Sequence, residues 1–353
     1  MKARASAAAL IIAGGQGTRF WPLSRTNRPK PLFSLDGRTT LLGDTIARLQ
    51  PLIARDRIFV ITAAAQASLF RRALRKLIPA RNLILEPEGR GTGVAIAYGA
   101  GVIESRLGAG VIAVMPADHY VAPAAAFRRT LRRAIRLART HPAIVVIGVR
   151  PTHPETGFGY QKIGPAIAGG GFAVDRFVEK PATKLATAMV RSGDFLWNAG
   201  MFVMHADTLA AELAQHCALL ATVIRELPAL SGGKLARAYR RLKVDSFDRT
   251  VVEKTRGVIG VRADFRWHDV GSWQGLWEAL RGADGNMLSG RVVALDSNGV
   301  LARASSRLMV LLGVEDLVAI DAGDAILIAK RSRSQDLRRV IDELRRRGLE
   351  RYL

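Results

Sequence analysis

Across the first 150 residues, short apolar runs alternate with longer stretches of helical periodicity, and few folds accept that alternation. Ala8–Ala13, Arg57–Thr62, Asn82–Leu85, Val111–Met115 and Ala143–Val149 read as buried strands. Between them, Leu41–Gln50, Ala64–Leu77, Thr92–Arg106 and Ala124–Thr140 read as helices. A strand that is apolar throughout must be covered on both faces, and the intervening helices can supply that cover. The pattern predicts an α/β fold built on a parallel sheet with helices on both sides. In such sheets ligands lie beyond the carboxyl ends of the strands, which directs attention to the loops after Ala13, Leu85 and Met115.

The character of the chain changes after residue 150. Phe158–Gly164, Phe172–Val178 and Trp197–His205 read as further strands, and helices return across 207–242 and after Ser272. The turn-rich Gly282-Ala283-Asp284-Gly285-Asn286 opens a series of short strands, at Arg291–Asp296, Gly299–Ala304, Leu308–Val314, Leu317–Asp321 and Ala325–Lys330. A helix over Ser334–Arg347 closes it. The expected division is a large domain over 1–282 and a small C-terminal β domain over 286–353. A β-helix is the candidate form of the latter, although no fixed-period repeat stands out. With 353 residues, two domains also fit the usual domain size of roughly 100–200 residues.

Composition excludes several classes. Hydrophobic residues make up 49% and charged residues 24%, enough apolar material for a sizeable core. The net charge of +23 sits largely in Arg71–Lys76, Arg128–Arg139, Lys234–Lys243 and Arg331–Arg347, where the cations alternate with Leu, Ile and Ala. That is the pattern of solvated helix faces, and no zinc-finger spacing or aromatic-interleaved motif points to nucleic acid. A single cysteine, Cys217, leaves no internal disulfide; it is expected as a buried thiol within an Ala/Leu-rich helix, in a reducing compartment. Met1-Lys2-Ala3-Arg4 before Ala7–Ala13 imitates a short signal peptide but runs directly into a glycine loop, and no apolar run reaches the ~20 residues of a membrane span. A cytoplasmic protein is expected.

The first segment with chemistry is Ala13-Gly14-Gly15-Gln16-Gly17-Thr18-Arg19, directly after a strand. Its glycines let backbone N–H groups approach phosphate oxygens closely. It is neither a Walker A loop nor a Rossmann fingerprint. It continues through Phe20-Trp21-Pro22-Leu23-Ser24 to Pro29-Lys30-Pro31, so Arg19 and Lys30 put two cations beside the glycines. Prolines on both sides of Lys30 stiffen the loop, which is expected to face the phosphate site; if the Lys30 side chain is solvent-facing before substrate binds, replacing it should hardly change thermal stability.

The segment from Gly14 to Pro31 resembles the signature of the sugar nucleotidyltransferases, and its Phe-Trp-Pro-Leu-Ser version is similar to the members that transfer a guanylyl group to mannose 1-phosphate. Further matches follow in order: Glu86-Pro87-Glu88-Gly89-Arg90-Gly91-Thr92, Pro116-Ala117-Asp118-His119, Gly157-Phe158-Gly159-Tyr160, Phe177-Val178-Glu179-Lys180-Pro181, Trp197-Asn198-Ala199-Gly200-Met201-Phe202 and Trp267-His268-Asp269-Val270-Gly271-Ser272-Trp273. Together they span about residues 8–280. Pro31 and Gly91 depart from the pattern; the family has asparagine at the latter position, close to the base, so looser base discrimination is expected.

The resemblance implies a nucleotidyltransferase fold with a mixed sheet covered by helices, and a Mg²⁺-dependent reaction of GTP with mannose 1-phosphate. It assigns Arg19 and Lys30 as catalytic cations, and Gly14, Gly15, Gly17, Thr18, Glu86, Gly89 and Thr92 to the nucleotide. Gly159, Glu179, Lys180 and Asn198 go to the sugar phosphate, and Asp118 and Asp269 to the metal. His119 is not expected as a ligand, since Mg²⁺ prefers oxygen. Trp197, Trp267 and Trp273 are expected to pack rather than stack on a base. Glu253-Lys254, near Ser246-Phe247-Asp248, also resembles a family segment but carries no assigned chemistry. Two-activity relatives bear a further C-terminal isomerase domain, for which residues 283–353 are too few. A homodimer is expected, with no nucleic-acid or membrane partner. The alternatives are a sister enzyme joining glucose 1-phosphate to UTP, dTTP or ATP, a non-enzymatic homologue of the same fold, and a nucleic-acid-binding protein.

Overall fold

The computed structural model describes residues 7–15, 18–34 and 39–353. In chain order its first elements are β1 (Ala8–Ile12), α1 (Leu41–Leu49), β2 (Ile58–Ala63), α2 (Ala67–Leu74), β3 (Leu83–Glu86), α3 (Thr92–Leu107), β4 (Val111–Pro116), β5 (Tyr120–Ala122), α4 (Ala124–Thr140) and β6 (Val145–Val149). Then follow β7 (Gly159–Ile167), β8 (Gly171–Glu179), α5 (Thr183–Ser192), β9 (Phe195–His205), α6 (Ala206–His216), α7 (Ala218–Glu226) and α8 (Gly232–Arg240). The remainder holds β10 (Ile259–Arg262), β11 (Arg266–His268), α9 (Trp273–Leu280), six short strands β12 (Met287–Ser289) to β17 (Ile326–Lys330), and α10 (Leu337–Arg346). The chain divides into two compact units. One comprises Met1–Gly14, Thr45–Ala117 and Val121–Arg266; the other comprises Gly15–Asp44, Asp118–Tyr120 and Trp267–Leu353.

The first unit is built on a nine-stranded sheet in the order β3-β2-β1-β4-β9-β6-β10-β8-β7. β1 runs parallel to β2 and β4, with Leu10 opposite Phe59 and Val114. The sheet is mixed rather than parallel throughout. β9 lies between β4 and β6 and is antiparallel to both, pairing Val114 with Phe202 and Val145 with Val203. Its Leu196, Trp197, Ala199 and Met201–Met204 are all buried, so it behaves as a central strand covered on both faces. Local periodicity recognises such a strand but cannot rank it among its neighbours.

α3 packs close under this sheet and is buried along most of its length. A Cβ on Gly101 would sit 2.3 Å from the Ile224 carbonyl, so only glycine lets α3 and α7 meet there. α4 shows the other extreme. Phe127, Leu131, Ala134, Ile135 and Ala138 are buried while Arg129, Arg132, Arg136 and Arg139 are exposed, which places the arginine-rich stretch on a solvated helix face. Cys217 is half-buried at the junction of α6 and α7, not inside a helix as the Ala/Leu-rich surroundings suggested; the helix breaks there because its φ and ψ are −159° and 89°.

In the second unit, β12, β14 (Leu301–Arg303) and β16 (Leu317–Asp321) stack as parallel rungs, with β17 antiparallel at the end. β13 (Val292–Leu295) and β15 (Met309–Leu312) form a second parallel pair. Stacked parallel rungs on two faces are the architecture of a β-helix. Val300, Ala302 and Ala319 fill its interior. A larger cluster joins Phe20, Trp21, Phe33, Val270, Trp273 and Trp277 to Leu301, Val318, Ile320 and Leu337, so the proline-braced loop is cored by the β-helix and α9.

Candidate active site

The second unit gathers three of the assigned residues around one ammonium group. Lys30 opens a short 3₁₀ turn, Lys30–Leu32, preceded by Pro29 in an extended conformation. Its Nζ lies 2.6 Å from Asp118 Oδ2 and donates to the Asp269 carbonyl oxygen at 3.1 Å. The Phe20 ring lies 5.5 Å below it. Lys30 is therefore buried, at 7% exposure, and ion-paired. The condition of a solvent-facing lysine does not hold: the aromatic floor of Phe20 and the carboxylate of Asp118 enclose the side chain.

Asp269 sits on a turn that few sequences would adopt. Val270 has φ 48°, a left-handed conformation that costs a β-branched residue on the order of 1–3 kcal/mol. The Val270 N–H donates to His268 Nδ1 at 2.9 Å, and the Gly271 N–H donates to Asp269 Oδ1 at 3.1 Å. Burial alone would raise the Asp269 carboxyl. The Lys30 ammonium acts against burial, and the carboxyl stays below the ordinary carboxylate range. Burial would lower the His268 ring, whereas Asp269 and Glu278 lift it to about 9. The Val270 amide points the other way, because a protonated nitrogen cannot accept its bond. We assign the ring its neutral form, with the proton on Nε2 toward Glu278, 3.6 Å away.

Asp118 and Asp269 offer an all-oxygen donor set, each with its side chain about one third exposed. That chemistry suits a hard divalent cation that keeps most of its waters and completes its shell with phosphate oxygens. No group of three or more His, Cys, Asp and Glu side chains able to hold a metal stands among the described residues. His119 Nδ1 accepts a bond from Trp267 Nε1 at 3.0 Å, and the two rings meet edge to face. Trp273 is buried, and its Nε1 donates to the Trp21 carbonyl at 3.2 Å. Arg19 is exposed and Gly15 has φ 111°. Gly17 lies outside the described residues, and so does the side chain of Thr18.

The first unit holds a second constellation. Glu179 ends β8 and is buried, and Lys180 folds back so that its Nζ bonds Glu179 Oε1 at 2.7 Å while its side chain stays half-exposed. Asn198, on β9, donates from Nδ2 to Asp248 Oδ1 at 2.8 Å and accepts at Oδ1 from the Gly200 N–H at 3.1 Å. One N–H and one lone pair of its amide are left for a ligand. Gly159 faces both residues: a Cβ there would lie 2.7 Å from Glu179 Oε2 and 3.3 Å from Asn198 Cβ. Trp197 packs edge-on against Phe158 and His153.

Two residues without an assigned role belong to this constellation. Burial and the nearby Glu179 push Asp248 up to about 6 against its bond from Asn198. Glu253 Oε1 accepts the Glu179 N–H at 3.2 Å. Both lie on or beside the π-helical turn Asp248–Val252. The only sequence signal for them was the segment likeness around Ser246–Lys254, which carries no periodicity that would aim a side chain.

Of the residues assigned to the nucleotide, Gly14 is exposed, with open space around it. Glu86 ends β3 at 4% exposure, accepting the Tyr239 hydroxyl at 3.3 Å, and Tyr239 meets Tyr98 edge to face. Burial pushes the Glu86 carboxyl up to about 7, partly offset by that hydroxyl. Gly89 is exposed. Thr92 opens α3, and its hydroxyl accepts the Phe247 N–H at 3.0 Å. Phe247 and Asp248 thus tie Thr92 to Asn198. Gly91, the N-cap of α3, has φ 89° and ψ 167°, a conformation that disfavours any side chain.

Comparison with known proteins places this arrangement. The sequence matches the Nucleotidyl transferase family over residues 8–284 and the MannoseP isomerase/GMP-like beta-helix domain over residues 290–344. The Xanthan biosynthesis protein XanB of Xanthomonas campestris pv. campestris is 34% identical over 348 residues, covering 96% of this chain and 73% of that protein. The mannose-1-phosphate guanylyltransferase of Escherichia coli K12 is 35% identical over 353 residues, again with 96% and 73% coverage. A solved structure from Thermus thermophilus, described as a mannose-1-phosphate geranyltransferase, superposes with a TM-score of 0.89 at 34% identity, covering 96% of this chain and 99% of that one. Among the described residues no helix is long and apolar enough to cross a membrane. With one family matched across both carboxylate constellations, the chain belongs to the nucleotidyl transferase family and is a nucleotidyltransferase.

Proposed function

We propose that this enzyme transfers a guanylyl group from GTP to mannose 1-phosphate, giving GDP-mannose and pyrophosphate. The observation that carries the reading is the buried Lys30 ammonium, bound to the Asp118 carboxylate and the Asp269 carbonyl. A fixed cation beside two acidic residues suits a polyphosphate and a divalent ion, and the names of the relatives supply the sugar and the base.

In this reading a phosphate oxygen of mannose 1-phosphate attacks the α-phosphorus of GTP. The new P–O bond forms as the bond to pyrophosphate breaks, so no protein nucleophile is needed. Residues of the glycine loop, Gly14, Gly15, Gly17 and Thr18, hold the β- and γ-phosphates with Arg19, and Lys30 stabilises charge on the reacting phosphate. Asp118 and Asp269 would hold Mg²⁺, which neutralises phosphate charge when bound. Glu86, Gly89 and Thr92 line the base. Glu179 and Asn198 orient the sugar hydroxyls, Gly159 leaves room for them, and Lys180 holds the sugar's phosphate. Residues 1–282 act as the catalytic domain and 286–353 as the small β domain. We further propose a cytoplasmic homodimer that uses the apolar row Val293, Leu295, Val310 and Leu312, all exposed on β13 and β15.

Pyrophosphate release measured over a grid of nucleotides and sugar phosphates tests the substrates. GTP with mannose 1-phosphate is expected to give the highest kcat/KM, with weak turnover of ATP or ITP because Gly91 carries no side chain. A preference of about tenfold for UTP or dTTP with glucose 1-phosphate would overturn the assignment and leave the enzyme class intact.

A further inference from the structure

The turn that carries Asp269 is strained at Val270, and the structure shows what holds it. The Val270 side chain is fully buried among Phe20, Trp273 and Leu276. Its N–H is taken by His268 Nδ1 at 2.9 Å, and the same nitrogen stands 3.2 Å from Asp269 Oδ1. The imidazole is in turn seated against α9. A Cβ on Gly275 would lie 2.4 Å from His268 Cε1, so the glycine leaves the space that the ring fills. One turn further along the same helix, Glu278 Oε2 stands 3.6 Å from His268 Nε2. Ser272 caps this helix by accepting the Gly275 N–H, which fixes the start of α9 relative to the turn.

A left-handed valine relaxes unless its surroundings over-determine it. Relaxation at Val270 would turn the neighbouring peptide groups, and the Gly271 N–H that pins Asp269 Oδ1 moves with them. We propose that His268, anchored by Glu278, is a positioning residue for the Asp269 carboxylate: by accepting the Val270 N–H it holds the strained turn in the one conformation that aims this carboxylate at a divalent cation. His268 itself touches neither cation nor substrate. The inference rests on the reading of Asp269 as a cation ligand. Outer partners that orient metal ligands typically change metal affinity by about 10–100-fold when removed.

The test uses Mn²⁺ as probe on the substrate-free full-length protein, with binding followed by water-proton relaxation and folding by thermal melting. His268→Leu removes the acceptor and is expected to weaken Mn²⁺ binding by about 10–100-fold. His268→Asn keeps an acceptor for the N–H two residues on, as Asn does in Asx turns, and is expected to stay within roughly threefold of the parent. Glu278→Gln is expected to fall between them, and the apparent Mg²⁺ activation constant should follow the same order. A purely structural role would lower the melting temperature of both histidine variants without separating their Mn²⁺ affinities. Asp269→Asn is the control. If it abolishes Mn²⁺ binding while His268→Leu binds like the parent, the positioning role is refuted and Asp269 remains a ligand. If Asp269→Asn binds Mn²⁺ unchanged, the cation reading fails and this inference with it. Equal loss in His268→Asn and His268→Leu also overturns it, since the shared acceptor would then not matter.

Discussion

Glu86 makes the stability of the first unit depend on pH in a direction opposite to that of most carboxylates. Its carboxyl is 4% exposed, and burial pushes it from 4.5 in the unfolded chain to about 7 in the folded one. Between those values the folded state holds a proton that the unfolded state has released, so stability falls as pH rises. The contribution is complete below about pH 4.5 and lost as pH passes 7. A shift of about 2.5 units corresponds to roughly 3 kcal/mol at full loss. Glu86→Gln keeps an oxygen to accept the Tyr239 hydroxyl but cannot ionise. We expect this variant to match the parent near pH 5 and to exceed it by roughly 2–3 kcal/mol near pH 8, a difference of several degrees in Tm for a chain of this size. Paired denaturant titrations of parent and variant at the two pH values cancel every other titrating group. A stability difference that does not change between them would refute the reasoning and mean that Glu86 is solvated in solution.

Three further outcomes follow from the geometry. Lys30→Ala should lower kcat by about 10²–10³ with a smaller effect on nucleotide KM. It should also cost about 1–3 kcal/mol in thermal denaturation, because Asp118 loses its partner at 2.6 Å; a variant of normal kcat would remove Lys30 from the reaction. Gly159→Ala should raise KM for the sugar phosphate by about tenfold or more and leave nucleotide KM alone, since the new methyl displaces Glu179; steady-state kinetics with each substrate varied checks it. Leu312→Lys, at a position 66% exposed on β15, should shift sedimentation toward the monomer while activity persists at high enzyme concentration, and unchanged sedimentation would clear this row of a role in assembly.

How much of this was legible in the sequence depends on whether the cause was local. The buried strands were, because a strand covered on both faces is apolar residue by residue, and β1, β2 and β4 fall within a residue or so of their expected ends. The place of β9 was not, since which strand it joins is decided by pairing partners about 50 to 90 positions away. The same distinction runs through the site. Motif resemblance singled out Asp118, Asp269, Glu179 and Asn198 as candidates, but the groups that hold them come from tertiary contact. Asp248 reaches Asn198 across 50 positions and Glu253 reaches Glu179 across 74. The burial of Lys30 was not legible, because its flanking prolines speak only for the backbone; it comes from Phe20 and Asp118.

Gly91 shows how one residue carries two causes at once. Read as sequence, it is a missing asparagine and hence a lost contact to the base. In the fold it is the N-cap of α3 at φ 89° and ψ 167°. Space does not exclude a side chain, for a Cβ there would lie 3.5 Å from the Val244 carbonyl, an ordinary contact. The backbone does, because an L-residue in that conformation is strained by about 1–3 kcal/mol. α3 begins without a side-chain cap, and Thr92, its first residue, spends its hydroxyl on the Phe247 N–H instead. The path that the chain takes from β3 into α3 therefore requires glycine at 91. An asparagine here would need a different entry into the helix, and the Thr92–Phe247 bond that links this turn to Asp248 and Asn198 would shift with it. Glycine at 91 and the Thr92–Phe247 bond thus belong to one helix entry, which is joined to Asn198 through the adjacent Phe247 and Asp248.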